Sequence, residues 1–328
     1  MKKILNDVDS VENEMIQGLV KSAPKMLRKL DYGTIVVRAN KKEGKVALVS
    51  GGGSGHEPAH AGYVGTGMLD GAVAGTVFTS PTPDQVLEGI KAVATDQGVL
   101  CVVKNYTGDI MNFEMAIEMA ADEDIKADYV VVNDDVAVRD SLYTTGRRGV
   151  AGTVFVHKIA GAKAEQGASL ADVKGVAERS IANVRSMVWL SNRAPFRQPG
   201  NRALNWRMTK WKSESASTAN RDASGKLRSA NEIAKMLVDE ILSDLDYKGR
   251  DVVVMVNGMG GTPLMELYIV NNFVQDYLKE QGVHVYDTMV GNYMTSIEMA
   301  GFSLTLLRLD DEMKALYDAP ADTLAWKK

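Results

Sequence analysis

The sequence predicts an α/β fold: two α/β domains with largely parallel or mixed sheets flanked by helices. Three observations carry that prediction. Short β-rich runs alternate with helical stretches, which is the rhythm of strand, crossover helix, strand. Several of the runs are apolar throughout, as in strands covered on both faces. The rhythm fails near 185–190 and resumes at 229, dividing the chain into an N-terminal unit, 1–187, and a C-terminal unit, 188–328. A chain of 328 residues suffices for one large or two ordinary α/β domains.

Taken in order, residues 11–30 read as a helix, because Val11, Met15, Leu19 and Val20 recur at helical spacing. TIVV (34–37) and KVALVS (45–50) read as strands, as do GVLCVVKN (98–105) and YVVVND (129–134). Helical patterns fill 84–95, 111–124 and 152–166. A further helix is expected over 169–187, with Ser169 as N-cap and Asp172 at the third helical position. In the second unit, SANEIAKMLVDEILSDL is an amphipathic helix and DVVVMVN (251–257) a buried strand ending in GMGGTP. A helix over 264–280 and the runs VHVYDTMV and GFSLTLLRL complete it.

Composition narrows the function. Hydrophobic residues make up 45% and charged residues 24%, the balance of a globular chain. A net charge of −4 gives no reason to expect a nucleic acid or an anionic membrane as partner. No apolar run approaches the roughly 18 residues of a membrane helix, and MKKILNDVDS lacks the apolar stretch of a secretory signal. The lone Cys101 allows no intrachain disulfide. A cytoplasmic protein is expected.

The strongest local feature is Gly51-Gly52-Gly53-Ser54-Gly55-His56-Glu57-Pro58, directly after the strand 45–50. Glycines there permit positive φ and close approach of a ligand to backbone amides. Alone, such a loop is better explained by a tight turn than by a ligand site. His56 raises its interest, because open α/β sheets place ligands at the carboxyl ends of their strands. Three other loops lie at equivalent strand ends. Thr79-Ser80-Pro81-Thr82-Pro83 offers hydroxyls, Lys104-Asn105-Tyr106-Thr107-Gly108-Asp109 joins a cation to a carboxylate, and Asn133-Asp134-Asp135 follows 129–132. Asp109 alone reads more simply as a helix N-terminal acid. His60, His157 and His284 read as exposed or core histidines without partners, and Cys101 as a buried small apolar residue. Four His and one Cys show no metal-ligand spacing, so no metal is expected.

GGGSGHEP, FTSPTP, KNYTGD, DDVAV, GRRGVAGTVFVHKIAGA, NGMGGTPLMEL and GFSLTLL, in this order, resemble the substrate-binding subunit family of dihydroxyacetone kinases of the phosphotransferase-dependent type. The likeness covers about 1–187 and 226–328. It implies a homodimer that presents dihydroxyacetone for phosphorylation. The substrate would lie near Gly53, Ser54, Gly55, His56, Ser80, Lys104 and Asp109, with His56 and Asp109 as acid–base groups. The resemblance also implies that this chain carries no cofactor of its own. ADP or ATP, with Mg, would sit on a partner subunit recharged from phosphoenolpyruvate through a relay subunit. In that family a second histidine, in a GIHGEPG loop, bonds covalently to the substrate carbonyl and so selects ketones over glycerol. The other reading the resemblance leaves is a non-catalytic, dihydroxyacetone-sensing regulatory paralogue.

The GIHGEPG loop is missing where it belongs. Residues 188–224 hold three of the four tryptophans, five arginines and one β-branched aliphatic residue, Val188, with no helical or strand period. Joining the third base of each codon to the first two of the next across Asn205–Asp222, with suitable synonymous codons, yields LADDEMEVGIGIHGEPG. The same operation on Arg193–Arg197 yields CTVP, another string of that family. A base lost near Met187 and one gained near Ser224 account for the odd composition and for the recovery at GKLRSANEIAKML. As it stands, the chain has Thr218 where the covalent histidine is expected, and a hydroxyl without an activating base is a poor nucleophile. The window is therefore expected to lack order and to weaken the second unit.

Overall fold

The computed structural model describes residues 4–137, 146–190 and 228–328. Its first sheet has six strands: β1 (Leu27–Lys29), β2 (Ile35–Arg38), β3 (Ala47–Ser54), β4 (Gly71–Val77), β5 (Val99–Lys104) and β6 (Ala127–Val132). Their spatial order is β1-β2-β4-β3-β5-β6, parallel from β4 to β6 and antiparallel at the β1–β2 edge. The second sheet contains β7 (Val184–Leu190), β8 (Asp251–Gly258), β9 (His284–Gly291) and β10 (Gly301–Arg308), in the order β7-β10-β8-β9. Only its β8–β9 pair is parallel. The expected α/β class with parallel and mixed sheets is the class observed.

The α-helices among the described residues are α1 (Val11–Ser22), α2 (Pro83–Val93), α3 (Thr107–Asp122), α4 (Thr153–Glu165), α5 (Leu170–Asn183), α6 (Ala230–Asp244), α7 (Leu264–Glu280) and α8 (Asp311–Asp318). Capping chemistry sets several starts. Ser169 Oγ accepts from the Asp172 amide, as the sequence indicates, and Ser229 with Glu232 forms a reciprocal capping box on α6. Helix α4 is buried on every side over Thr153–Ala162. It packs against β3, β5, α5 and α8, and one core cluster holds Leu100 and Val102 of the first sheet together with Val253, Met255 and Leu307 of the second. The two sheets thus share a core through α4 and α5. No helix among the described residues is long and apolar enough to cross a membrane.

Several elements differ from expectation. The helix expected over 11–30 stops at Ser22, because Pro24 disfavours helical backbone at Ala23, and Leu27–Lys29 form β1 instead. The triple glycine is not a turn: β3 continues through Ser54, pairing with β4 and shifting register at Gly53/Ser54. Strand β4, GAVAGTV, has no sequence signal, since glycine and alanine are poor strand formers. Helix α3 begins at Thr107 rather than 111, so Asp109 lies in its first turn. The helix expected to reach 187 ends at Asn183, and β7 follows it directly. The chain therefore changes sheet between Asn183 and Val184, a few residues before the expected division at 187/188. Val188, Trp189 and Leu190, read as the start of the anomalous window, pair in register with Ser303, Phe302 and Gly301. The rest of the window, with Thr218 and the lack of order expected of it, lies outside the described residues.

Candidate active site

The cleft lies where the carboxyl ends of β3, β4 and β5 face the loops of the second sheet, and its volume is about 500 Å³. Gly53, His56, Ser80, Lys104 and Asp109, five of the residues singled out from sequence, line it together. They come from three segments: 53–56, Ser80 and 104–109. Gly53 sits at the register shift near the end of β3, where a Cβ would come within 2.5 Å of the Thr79 amide nitrogen, so only glycine lets that loop close over the strand. Lys104 is the last residue of β5, and Asp109 opens α3 one loop later.

Ser54 and Gly55 do not line this cleft. Ser54 is buried, with its Oγ donating to Gly75 O at 2.7 Å, because alternation along the strand turns it away from the Gly53 face. The Gly55 amide donates to Glu57 Oε1 at 3.1 Å, and its carbonyl accepts from Ile297 N at 2.9 Å.

Lys104 is 4% exposed and Asp109 is 3% exposed. Burial lowers the Lys104 ammonium, partly offset by the nearby Asp109 charge. Burial raises the Asp109 carboxyl, against the opposing pull of Lys104 and a hydrogen bond from Ser80. Asp109 Oδ1 is buried with no hydrogen-bond partner in the protein. A carboxylate oxygen so left is ready to accept from a ligand hydroxyl. His56 places its Nδ1 2.8 Å from Thr295 O, so Nδ1 carries the proton and Nε2 keeps the lone pair. Burial and the Lys104 charge hold this imidazole down at about 3, so it is neutral at physiological pH.

Further residues of the cleft and its loops receive no individual role from sequence. Asn257, at the end of β8, receives the Tyr293 and Met294 amides on Oδ1 and donates Nδ2 to Met294 O, fixing the loop that carries Thr295. Phe78 lies against His56 with ring centroids 5.2 Å apart and has a positive φ of 56°. Arg148 enters the lining bound to Asp135 through Nε, at 3.0 Å, and through Nη2. Asp134, beside it, accepts from the Val150 and Gly152 amides, each at 2.8 Å, and shapes the loop that leads into α4. These contacts join separate segments of the chain, which the strings FTSPTP, DDVAV, GRRGVAG and NGMGG mark without showing that they meet.

The histidines set aside from sequence divide. His284 is exposed, 3.7 Å from Asp251. His60 and His157 do have partners, and they are each other: His60 Nδ1 lies 3.1 Å from His157 Nε2 in the core. Cys101 is buried in β5, and burial pushes its thiol far up. Among the described residues no group of three or more His, Cys, Asp or Glu side chains is arranged to hold a metal ion.

A family model described as the Dak1 domain matches residues 17–325. The dihydroxyacetone-binding subunit DhaK of PTS-dependent dihydroxyacetone kinase 1 from Listeria innocua is 51% identical over 99% of this chain and 100% of its own length. Among solved structures, the dihydroxyacetone kinase of C. freundii in complex with AMP-PNP and Mg2+ superposes with a TM-score of 0.85 at 31% identity. The match covers 99% of this chain and 61% of that longer one. A structure described as regulation of the dha operon of Lactococcus lactis superposes with a TM-score of 0.84 at 30% identity, covering 99% of this chain and 98% of that one.

Proposed function

The chain belongs to the Dak1 domain family, and on that premise we propose that it is the dihydroxyacetone-binding subunit of a phosphoenolpyruvate-dependent dihydroxyacetone kinase. It presents dihydroxyacetone for phosphorylation to dihydroxyacetone phosphate by a separate subunit that carries ADP or ATP with Mg, itself recharged through a phosphotransferase relay. The observation that carries this reading is one cleft in which a neutral imidazole, an ammonium and a carboxylate oxygen without a partner share a lining.

The chemistry follows from those groups. Dihydroxyacetone is uncharged and small, so its recognition rests on hydrogen bonds from fixed donors and acceptors. Asp109 accepts the proton of the terminal hydroxyl as that oxygen attacks the phosphorus, and the Ser80 hydroxyl holds the carboxylate in place. His56, oriented by Thr295 O, presents Nε2 to the substrate as the second acid–base group. The Lys104 ammonium stabilises negative charge on substrate oxygens. Covalent capture needs the histidine that Thr218 replaces, so the chain as it stands holds dihydroxyacetone by these contacts alone and phosphorylates it poorly.

The partner subunit must reach the cleft from outside. Leu264, Met265, Tyr268 and Ile269 are exposed on the first turns of α7, which starts just after Met259 in the cleft lining. An exposed apolar face at the mouth of a site suits a docking partner, and we assign it to the nucleotide-carrying subunit, within a cytoplasmic homodimer.

The regulatory alternative is favoured by the comparable superpositions on the dha operon regulation structure and on the dihydroxyacetone kinase operon co-activator Dha-DhaQ. Mixing the chain with the two partner subunits and phosphoenolpyruvate separates the readings. Formation of dihydroxyacetone phosphate, with glycerol untouched, supports the kinase. Dihydroxyacetone binding with no phosphoryl transfer, even after residues 205–222 are replaced by the neighbouring-frame segment, overturns it.

A further inference from the structure

Beneath the cleft lies a polar cluster that the chemistry above does not use: Ser50, His60 and His157, which are 0%, 7% and 0% exposed. Its hydrogens can be placed by elimination. Ser50 Oγ donates its single proton to Val102 O at 2.6 Å. Its contact with His60 Nδ1, at 3.2 Å, must then run the other way, with His60 Nδ1–H donating to Ser50. His157 Nε2, 3.1 Å from the same nitrogen, must be a lone pair, because two N–H groups would face each other otherwise. A neutral imidazole carries one N–H, so His60 Nε2 is a bare acceptor. It is buried, with no hydrogen-bond partner in the protein.

That acceptor has a neighbour. A Cβ on Gly52 would lie 3.0 Å from Lys104 Nζ and 3.6 Å from His60 Nε2, so both nitrogens border one point in the core. They are not hydrogen-bonded in this structure, but both face the space that a side chain on residue 52 would take. Gly52 has a φ of +154°, and any side chain there would fill the gap between the two groups.

We propose that His60 is a positioning residue: its Nε2 lone pair, locked in that tautomer by Ser50, accepts a hydrogen bond from the Lys104 ammonium and holds it toward the cleft. The anchor runs through Ser50 back to Val102, two residues before Lys104 on the same strand, so the strand that carries the lysine also sets where its head rests. The other charged or titratable groups facing Lys104 are Asp109 from α3, His56 from the loop after β3, His157 from α4 and the Tyr106 ring at 5.5 Å. Asp109 supplies the opposite charge, and the neutral His60 supplies direction. The inference rests on the reading that Lys104 meets the substrate.

The test uses the full chain. Long-range proton–nitrogen spectra of its imidazoles should show both His60 and His157 protonated at Nδ1 at neutral pH. A His60 protonated at Nε2 overturns the proposal. Carbon-13-labelled lysine, assigned through Lys104→Arg, then reports the Lys104 midpoint. A hydrogen bond to a charged group is strong enough that His60→Leu should lower that midpoint by about one pH unit. His60→Gln, whose amide oxygen can reach the Nε2 position, should restore it. A midpoint that stays put in His60→Leu overturns the proposal, because a merely structural histidine would leave the lysine unchanged. Should His60→Leu fail to fold, Ser50→Ala releases the tautomer while keeping the ring. It should lower the same midpoint, and no shift there overturns the proposal equally. Dihydroxyacetone binding is measured separately and should weaken about tenfold in His60→Leu. If the unaltered chain, and the chain with residues 205–222 replaced, bind no dihydroxyacetone, the substrate reading fails while the tautomer result stands.

Discussion

His56 Nδ1 lies 2.8 Å from the carbonyl oxygen of Thr295, a residue 239 positions further along the chain. The bond ties the loop after β3 to the loop after β9, so the orientation of this imidazole depends on both sheets. The Thr295 amide donates to His56 O at 3.2 Å, and Thr295 Oγ1 donates to Glu57 O at 2.7 Å, so the junction is held from both sides.

In a chain whose residues 205–222 are replaced by the neighbouring-frame segment, His56→Ala should reduce dihydroxyacetone phosphorylation by roughly 10²–10⁴-fold, the usual share of a general acid–base group. Steady-state assays with partner subunits in excess measure it. Unchanged turnover removes His56 from the mechanism.

Asp109 must be ionised to accept a proton, and burial raises its carboxyl above the ordinary aspartate range. Activity of the same repaired chain should therefore fall as pH drops through that raised value, giving an acid limb above the pH at which a solvent-exposed aspartate titrates. Asp109→Asn should abolish most activity, and the residual rate should lose that limb. A limb that persists in Asp109→Asn belongs to another group.

The Asp135–Arg148 pair is almost wholly inside the protein, with side chains 0% and 8% exposed. Asp135→Ala leaves a guanidinium buried without its main counter-charge and should cost about 3–5 kcal/mol in urea unfolding. Replacing both residues with apolar ones should cost less than the single change. A single change that costs under about 1 kcal/mol would show that Arg148 finds other compensation.

Glu165 governs an acid-sensitive part of the stability. Burial pushes its carboxyl up, but Lys42, Lys45 and Arg38 outweigh burial and bring it to about 2. A folded value below the unfolded one stabilises at pH above about 4.5, and that contribution disappears as pH falls toward about 2. Unfolding midpoints should drop across this window in the unaltered chain. In Glu165→Gln the contribution is missing at neutral pH and the midpoint should depend less on pH below 4.5.

On the surface of α7, Met265→Glu combined with Tyr268→Glu should raise the KM for the nucleotide-carrying subunit at least tenfold in the repaired chain. Calorimetry with dihydroxyacetone should give the same affinity as before. A change in the size of the chain by itself in solution, with an unaltered KM, would assign this face to self-association instead.

How legible the molecule is from sequence depends on the range of the interactions involved. His56, Lys104 and Asp109 stand out because each is a reactive residue type at the end of an apolar strand, a local pattern. Phe78, Arg148 and Thr295 do not, because their place in the cleft comes from loops meeting across the fold. Among the elements, strands of Val, Leu and Ile were readable, whereas β4 and the glycine half of β3 were not. Their strand character comes from neighbouring backbones that glycine admits, and not from their own side chains. The 169–187 stretch was misread at its end because VRSMVWL follows a real helix without a glycine or proline to mark the change. The histidine pair was missed because His60 and His157 lie 97 residues apart.

The pairing of β7 with β10, Leu190 against Gly301, bears on how the molecule is made. On the ribosome, the six-stranded sheet can assemble as soon as β6 emerges. Strand β7, bridged on one side to Asp134–Val136, then waits with its other edge unpaired through the synthesis of everything up to residue 308, where β10 ends. Such a waiting strand is a site for chaperone capture or for self-association of nascent chains. Slowed translation across the intervening codons would lengthen the exposure, and yield of folded protein should track the speed at which β10 is delivered.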